Sequence, residues 1–121
     1  MAELGWTPGI RVAFEESVFR DHAWTFRKGS RCLATFAATN DLVDVEQVLD
    51  YEPMDFCGFS VHSGVVGELL GFMQSPEWGP FVEFLQAPEC ETVTSVGHSL
   101  GGALASLFAA SANRRCEPLN F

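Results

Sequence analysis

The 121-residue sequence predicts an α/β fold: a mostly parallel sheet with flanking helices and an N-terminal antiparallel hairpin. Three observations predict it. Residues 92–96 form a short apolar, β-rich run that passes through glycine directly into a long helix-compatible stretch, residues 100–113. Two earlier segments, 65–73 and 78–85, carry apolar residues at helical spacing between strand candidates, and strands joined by helices pair in parallel. Residues 23–27 and 31–37 are rich in β-formers and flank Lys28-Gly29-Ser30, which reads as a hairpin turn.

The elements follow in order. Residues 1–10 are turn-rich and read as an irregular N-terminus, and residues 11–19 mix apolar and acidic positions in a way that fits either a short helix or a strand. After the hairpin, Thr39-Asn40-Asp41 breaks the pattern. Residues 41–51 place Leu42, Val45, Val48 and Leu49 at the spacing of a short amphipathic helix or loop, closed by Glu52-Pro53. Residues 57–61 form a short apolar strand candidate ending at His62-Ser63-Gly64. The two helical segments are separated by Ser75-Pro76, so they form a helix pair or one kinked helix. Residues 72–80, with Trp78 and Phe81, are the best candidate for a lid-like element, and ordinary core aromatics are the simpler reading of the same residues. Residues 92–96 read as a buried strand. Residues 100–113 are apolar or small on every side, which predicts a helix pressed into the sheet on one face and covered on the other, closed by Arg114-Arg115 against its dipole. At Glu117-Pro118-Leu119-Asn120-Phe121 a new apolar strand begins.

Length and composition bound the function. Residues 1–121 suffice for one domain, and 47% apolar content with eleven Phe and three Trp supplies a packed core. The formal charge is −9, and the seven Lys and Arg are scattered, with no basic run longer than two residues, which excludes nucleic acid as a partner. No segment has the apolar length of an integral membrane span. The four cysteines, Cys32, Cys57, Cys90 and Cys116, show no C-x-x-C and no zinc spacing with histidine. The first nine residues lack a basic n-region and an apolar core, so no signal peptide is expected. Together these features predict a cytoplasmic protein with buried free thiols.

Chemistry enters at Gly97-His98-Ser99-Leu100-Gly101. A G-x-S-x-G segment between a strand and a helix holds the serine Oγ out at the C-terminal edge of a sheet, where a carbonyl carbon can reach it. The sharp turn brings the backbones of strand and helix together, so Gly97 and Gly101 are the elbow glycines that leave out a colliding Cβ, and Gly102 lets the helix lie closer still. With Ser99 at the helix start, the Leu100 N–H points toward a developing oxyanion, and the helix dipole favours negative charge there. The pattern alone is short. The strand before it and the helix after it make it specific.

From the hairpin to the C-terminus the chain resembles a class 3 (fungal-type) lipase of the α/β-hydrolase superfamily. Gly97-His98-Ser99-Leu100-Gly101-Gly102-Ala103 is similar to that family's form of the elbow, Phe36-Ala37-Ala38-Thr39 before Asn40-Asp41 and Asp44 to its oxyanion strand, and His62-Ser63-Gly64 to its His-x-Gly element. The resemblance implies a partial α/β-hydrolase fold and hydrolysis of carboxylic esters, typically acylglycerol lipids, without metal or cofactor. It gives Ser99 the role of nucleophile, and Leu100 and Thr39 the roles of first and second oxyanion-hole donors.

Two departures stand beside the resemblance. The family's Arg-Gly in the oxyanion strand is Ala37-Ala38 here, and Ala accepts a positive φ less readily than Gly. The triad order of α/β-hydrolases is Ser, then Asp or Glu, then His. Only 22 residues follow Ser99, and they contain no Asp and no His, with Glu117 the sole carboxylate. Upstream, His98 occupies a position that points away from the Oγ, His62 ends a strand expected beside the elbow strand and has a structural reading, and His22 reads as a surface residue. Asp41, Asp44 and Asp50 fit a solvated face or a helix N-cap, and Glu15, Glu16, Glu89 and Glu91 fit surface charge. The first expectation is therefore an N-terminal portion of a class 3 lipase, inactive alone. A short pseudoenzyme serving as a binding or scaffold module is the second, and a minimal esterase with His62 as base is the third.

Overall fold

The computed structural model of the chain describes residues 5–14, 21–37, 53–98 and 100–114. The reading of residues 41–51 and of the strand beginning at Glu117 lies outside these. Six strands and three helices occur among the described residues: β1 (Thr7–Phe14), β2 (Asp21–Lys28), β3 (Arg31–Ala37), β4 (Pro53–Phe56), β5 (Phe59–His62), α1 (Ser63–Met73), α2 (Trp78–Gln86), β6 (Thr92–Gly97) and α3 (Leu100–Asn113).

The main sheet has the order β1-β2-β3-β6. β1, β2 and β3 run antiparallel and β6 joins β3 in parallel, from Arg31 opposite Thr92 to Phe36 opposite Gly97. The α/β class holds, with the antiparallel part extended beyond a hairpin to three strands and the parallel part, among the described strands, carried by the β3–β6 pair. The β2–β3 turn lies in the expected Lys28-Gly29-Ser30 segment, with Lys28 joining β2 so that two residues remain, and Gly29 at φ +61° supplies the left-handed conformation that a tight turn needs. The irregular N-terminus is corrected from residue 7 onward: β1 starts at Thr7, and the helix-or-strand ambiguity over residues 11–19 resolves to strand as far as Phe14. Turn-like composition misled here because Pro8 and Gly9 stand at a bulge, where the β1–β2 register shifts between Pro8 and Arg11. At the bulge the buried Thr25 hydroxyl replaces a ladder partner. It accepts from the Ile10 N–H at 2.7 Å and donates to the Ile10 carbonyl at 3.4 Å.

Burial alternates along β2 and β3, with Ala23, Thr25, Cys32, Ala34 and Phe36 on the buried side. This is the period of two expected of a sheet covered on one face. Phe36 stands at the centre of that face. Its ring meets Phe72 of α1 at 6.1 Å, Phe81 of α2 at 6.2 Å and Phe108 of α3 at 5.3 Å. Trp78 stacks on Phe81 at 5.1 Å and meets Phe108 edge-on at 5.8 Å. Each such pair adds about 1 kcal/mol to the burial of its rings. Trp78 and Phe81 are therefore core residues, and the lid-like reading of this segment gives way to the simpler one. The break between α1 and α2 falls at Ser75-Pro76 as expected, and the Ser75 hydroxyl pins it to the sheet by donating to the Ala13 carbonyl at 2.9 Å.

Two burial expectations are corrected. β6 is not the buried strand expected: every residue in it is exposed except the half-buried Ser95. It lies at the end of the described strand order, so a second neighbour and a second covered face are missing among the described residues. α3 occupies the expected residues, yet it buries one face, through Leu100, Gly101, Leu104, Ala105, Leu107, Phe108 and Ser111, and leaves Ala103 and Ser106 exposed. Small residues on the outer face resemble a second packing surface in sequence because side chains of that size occur in both environments.

The cysteines also depart from expectation. Cys32 and Cys90 form a disulfide with a Cα–Cα distance of 5.5 Å, and Cys57 is disulfide-bonded as well. The expected free thiols are absent among the described residues. The Cys32–Cys90 bridge ties the start of β3 to the turn that leads into β6, beside two backbone bonds in which the Glu91 and Thr92 N–H groups donate to the Ser30 carbonyl at 2.9 and 3.3 Å. Wide sequence spacing hid this pair, since only the parallel β3–β6 register brings the two residues together.

Candidate active site

The elbow is built by β6, the turn after it and α3. Gly97 is the last residue of β6 and Leu100 the first of α3, and the Gly101 N–H donates to the His98 carbonyl at 3.0 Å across the turn. A Cβ on Gly97 would fall on the Gly101 carbonyl and lie 2.8 Å from the Gly102 nitrogen. Only glycine fits there, for the reason the motif suggested: strand and helix backbones are in contact. A Cβ on Gly102 would stand 3.2 Å from the Gly97 carbonyl oxygen, tighter than ordinary packing. The helix is further fixed to the strand by the Ser95 hydroxyl, which donates to the Ala105 carbonyl at 2.9 Å.

The sequence-derived site residues fall as follows. Gly97 and Gly101 sit on the two sides of the turn, and Leu100, with its side chain buried, occupies the first helical position. Ser99 and Thr39 lie outside the described residues. β3 ends at Ala37, two residues before Thr39, and its Phe36 is the register partner of Gly97, so the chain leaves β3 directly beside the elbow. His98 is exposed at the turn, and His22 lies at the start of β2, half-buried. His62 does not end a strand next to β6. β5 pairs with β4 in a separate two-stranded sheet, and the neighbour of β6 is β3. The His-x-Gly element instead marks the point where β5 passes into α1. Among the described residues no cluster of His, Cys, Asp and Glu has the makings of a metal site. The Asp41, Asp44 and Asp50 readings lie outside the described residues.

Residues 31–119 match the profile of Lipase (class 3), which spans β3, the helices, the elbow and α3. The chain belongs to the class 3 lipase family. No curated protein matches it. Solved structures do. The lipase of Rhizopus microsporus var. chinensis superposes with a TM-score of 0.74 at 20% identity, over 95% of this chain and 41% of that one. A Rhizomucor miehei lipase in complex with its propeptide gives 0.68 at 20% identity, over 97% and 37%. A fungal lipase–inhibitor complex gives 0.65 at 18% identity, over 94% and 44%. At these identities the likeness is one of fold: the chain shares the partial α/β architecture, a mixed sheet with flanking helices, of these structures. The chain spans about two fifths of the length of the solved lipases it matches. No helix among the described residues of this lipase-family chain is long and apolar enough to cross a membrane.

Proposed function

We propose that this class 3 lipase chain is the nucleophile-bearing portion of a serine hydrolase acting on carboxylic esters of lipids. The observation that carries the reading is the contact between Gly97 and the Gly101 carbonyl, because a strand–helix turn that tight is what a nucleophile elbow requires. In this reading the Ser99 Oγ attacks the ester carbonyl carbon and its proton passes to a general base. The carbonyl oxygen takes up the negative charge against the Leu100 and Thr39 N–H groups, and the alcohol leaves to give an acyl-serine that water then hydrolyses. The helix dipole of α3 adds to oxyanion stabilisation.

In this reading the base is the part these residues do not supply, since no Asp or His follows Ser99 in the order Ser, acid, His. The 121-residue chain is accordingly proposed to be inactive alone. Added imidazole tests both statements by replacing the base. Treated with an alkyl fluorophosphonate, the chain is expected to acquire one adduct, mapped by mass spectrometry to Ser99, at a rate that rises with imidazole concentration. The Ser99→Ala variant is expected to acquire none. An adduct spread equally over other serines, or none at all, would overturn the hydrolase reading and leave the binding-module alternative. Ser99-dependent hydrolysis of p-nitrophenyl butyrate without imidazole would instead refute inactivity and point to a resident base such as His62.

The disulfides bear on location. The cytoplasmic expectation rests on the absence of a signal-peptide pattern and on the spacing of the cysteines, which suggests free thiols, whereas structural disulfides persist in oxidising compartments. We propose an oxidising compartment for this chain. Protein isolated from its native source after trapping with iodoacetamide is expected to carry no label on Cys32 or Cys90, and stoichiometric labelling of both would return the proposal to the cytoplasm.

A further inference from the structure

The positive charge of this acidic chain is concentrated at the end of the sheet remote from the elbow. Three of its seven Lys and Arg, Arg27, Lys28 and Arg31, lie within five residues at the β2–β3 turn. The hairpin register sets Lys28 directly opposite Arg31, and like charges in that relation destabilise a strand pair. In a chain with sixteen carboxylates, no carboxylate among the described residues forms an ion pair with any of the three.

Two of these cations open onto a cleft of about 340 Å³, lined also by Gly5, Pro8, Gly29 and Phe84. The volume lies at the lower end of the range for small-molecule sites. The cleft is held in shape from several sides. The Arg27 Nε donates to the Gly29 carbonyl at 3.0 Å, which fixes the guanidinium plane and leaves its terminal nitrogens without a described protein acceptor. The Lys28 stem crosses Gly5, its Cε 3.3 Å from the place a Cβ would occupy, and Gly5 has φ +85°. Phe84 of α2 lies against the backbone of Gly9 and forms an apolar wall with Pro8. A guanidinium fork and an ammonium that line one cleft suit a carboxylate or phosphate group, and a phenyl wall suits a short hydrocarbon.

The cleft is separate from the ester-cleavage site. Arg31 pairs with Thr92 at one end of β6 and Phe36 with Gly97 at the other, an interval of about 17 Å along the strand. We propose that this cleft binds a small amphiphilic anion, with its carboxylate or phosphate head on Arg27 and Lys28 and a short alkyl body against Phe84 and Pro8. The bound anion neutralises the Lys28–Arg31 repulsion, so binding also stabilises the hairpin.

Calorimetric titration of the chain with hexanoate, hexyl phosphate, inorganic phosphate and hexanol tests this. Saturable binding of hexanoate or hexyl phosphate is expected, with the better of the two identifying the head group. Both cations are exposed, and Arg27→Gln or Lys28→Gln is expected to weaken binding at least about tenfold while the ligand-free chain still melts cooperatively, with Lys28→Gln raising the midpoint by relieving the repulsion from Arg31. Phe84→Leu is expected to weaken hexanoate more than inorganic phosphate. Absence of saturable binding by both alkyl anions overturns the proposal, as does hexanol or inorganic phosphate binding as tightly as they do. Equal affinity in the Arg27→Gln and Lys28→Gln variants overturns it too.

Discussion

β3 and β6 lie side by side in parallel register, yet they occupy opposite environments. β3 has a partner on each side and buries Cys32, Ala34 and Phe36 under three helices. β6 has one described partner, and its Val93 and Val96 are 42% and 44% exposed. The difference teaches that burial in a sheet belongs to position in the strand order before it belongs to hydrophobicity. It also separates two duties. β3 is the strand around which the core condenses, whereas β6 contributes little to the core and is held by its end, where Gly97 meets α3.

Substitutions in the two strands are expected to differ accordingly. The largest effect is expected at the elbow: Gly97→Ala drives a Cβ onto the Gly101 carbonyl, and a loss above about 4 kcal/mol, seen as a lost cooperative urea transition, is expected. A near-normal transition would mean that β6 is not clamped at its end. Removing the staple between the two strands comes next. The Cys32→Ala/Cys90→Ala double variant opens a loop of sequence separation 58, and chain entropy predicts a loss of about 4 kcal/mol, read from the shift in urea midpoint. On β3, Phe36→Ala removes the ring shared by α1, α2 and α3 and is expected to cost about 3 kcal/mol or more by the same measurement. On β6, Val96→Thr is expected to shift stability by no more than about 0.5 kcal/mol, and a cost comparable with that at Phe36 would show β6 to be covered. The smallest effect is a gain. Gly67 lies inside α1 with open space where a Cβ would go, so Gly67→Ala is expected to raise stability by up to about 1 kcal/mol.

Local chemistry made much of this legible in sequence. The Lys28-Gly29-Ser30 turn, the α1–α2 break at Ser75-Pro76 and α3 at residues 100–113 all depend on backbone preferences within a few residues, and the structure has them there. Gly97 was legible for the same reason, because the constraint on it arises four residues away. Nonlocal partners were not legible. The β6 exposure, the placement of β5 in its own small sheet and the Cys32–Cys90 bond all depend on which segments become neighbours, which periodicity does not encode. Strand β1 was hidden by its bulge, since Pro8 and Gly9 have turn composition while Thr25 on another strand supplies the hydrogen bonds of Ile10 beside them. The cationic cleft is not legible in sequence either, because the Lys and Arg are scattered along the chain and only the fold places Phe84 at the same cleft as Arg27 and Lys28.

The Cys32–Cys90 bond has a topological consequence. It closes a covalent ring that contains β3, both strands of the small sheet, α1 and α2, and it shuts just before β6 begins. A protease that cut the backbone anywhere inside that ring would leave the elbow attached to the hairpin by sulfur. The clipped product would run as two pieces on a reducing gel and as one without reductant. Substitutions and insertions between the two cysteines therefore act on a closed circuit, in which the elbow-bearing part of the chain cannot drift away from β3 even when the polypeptide between them is severed.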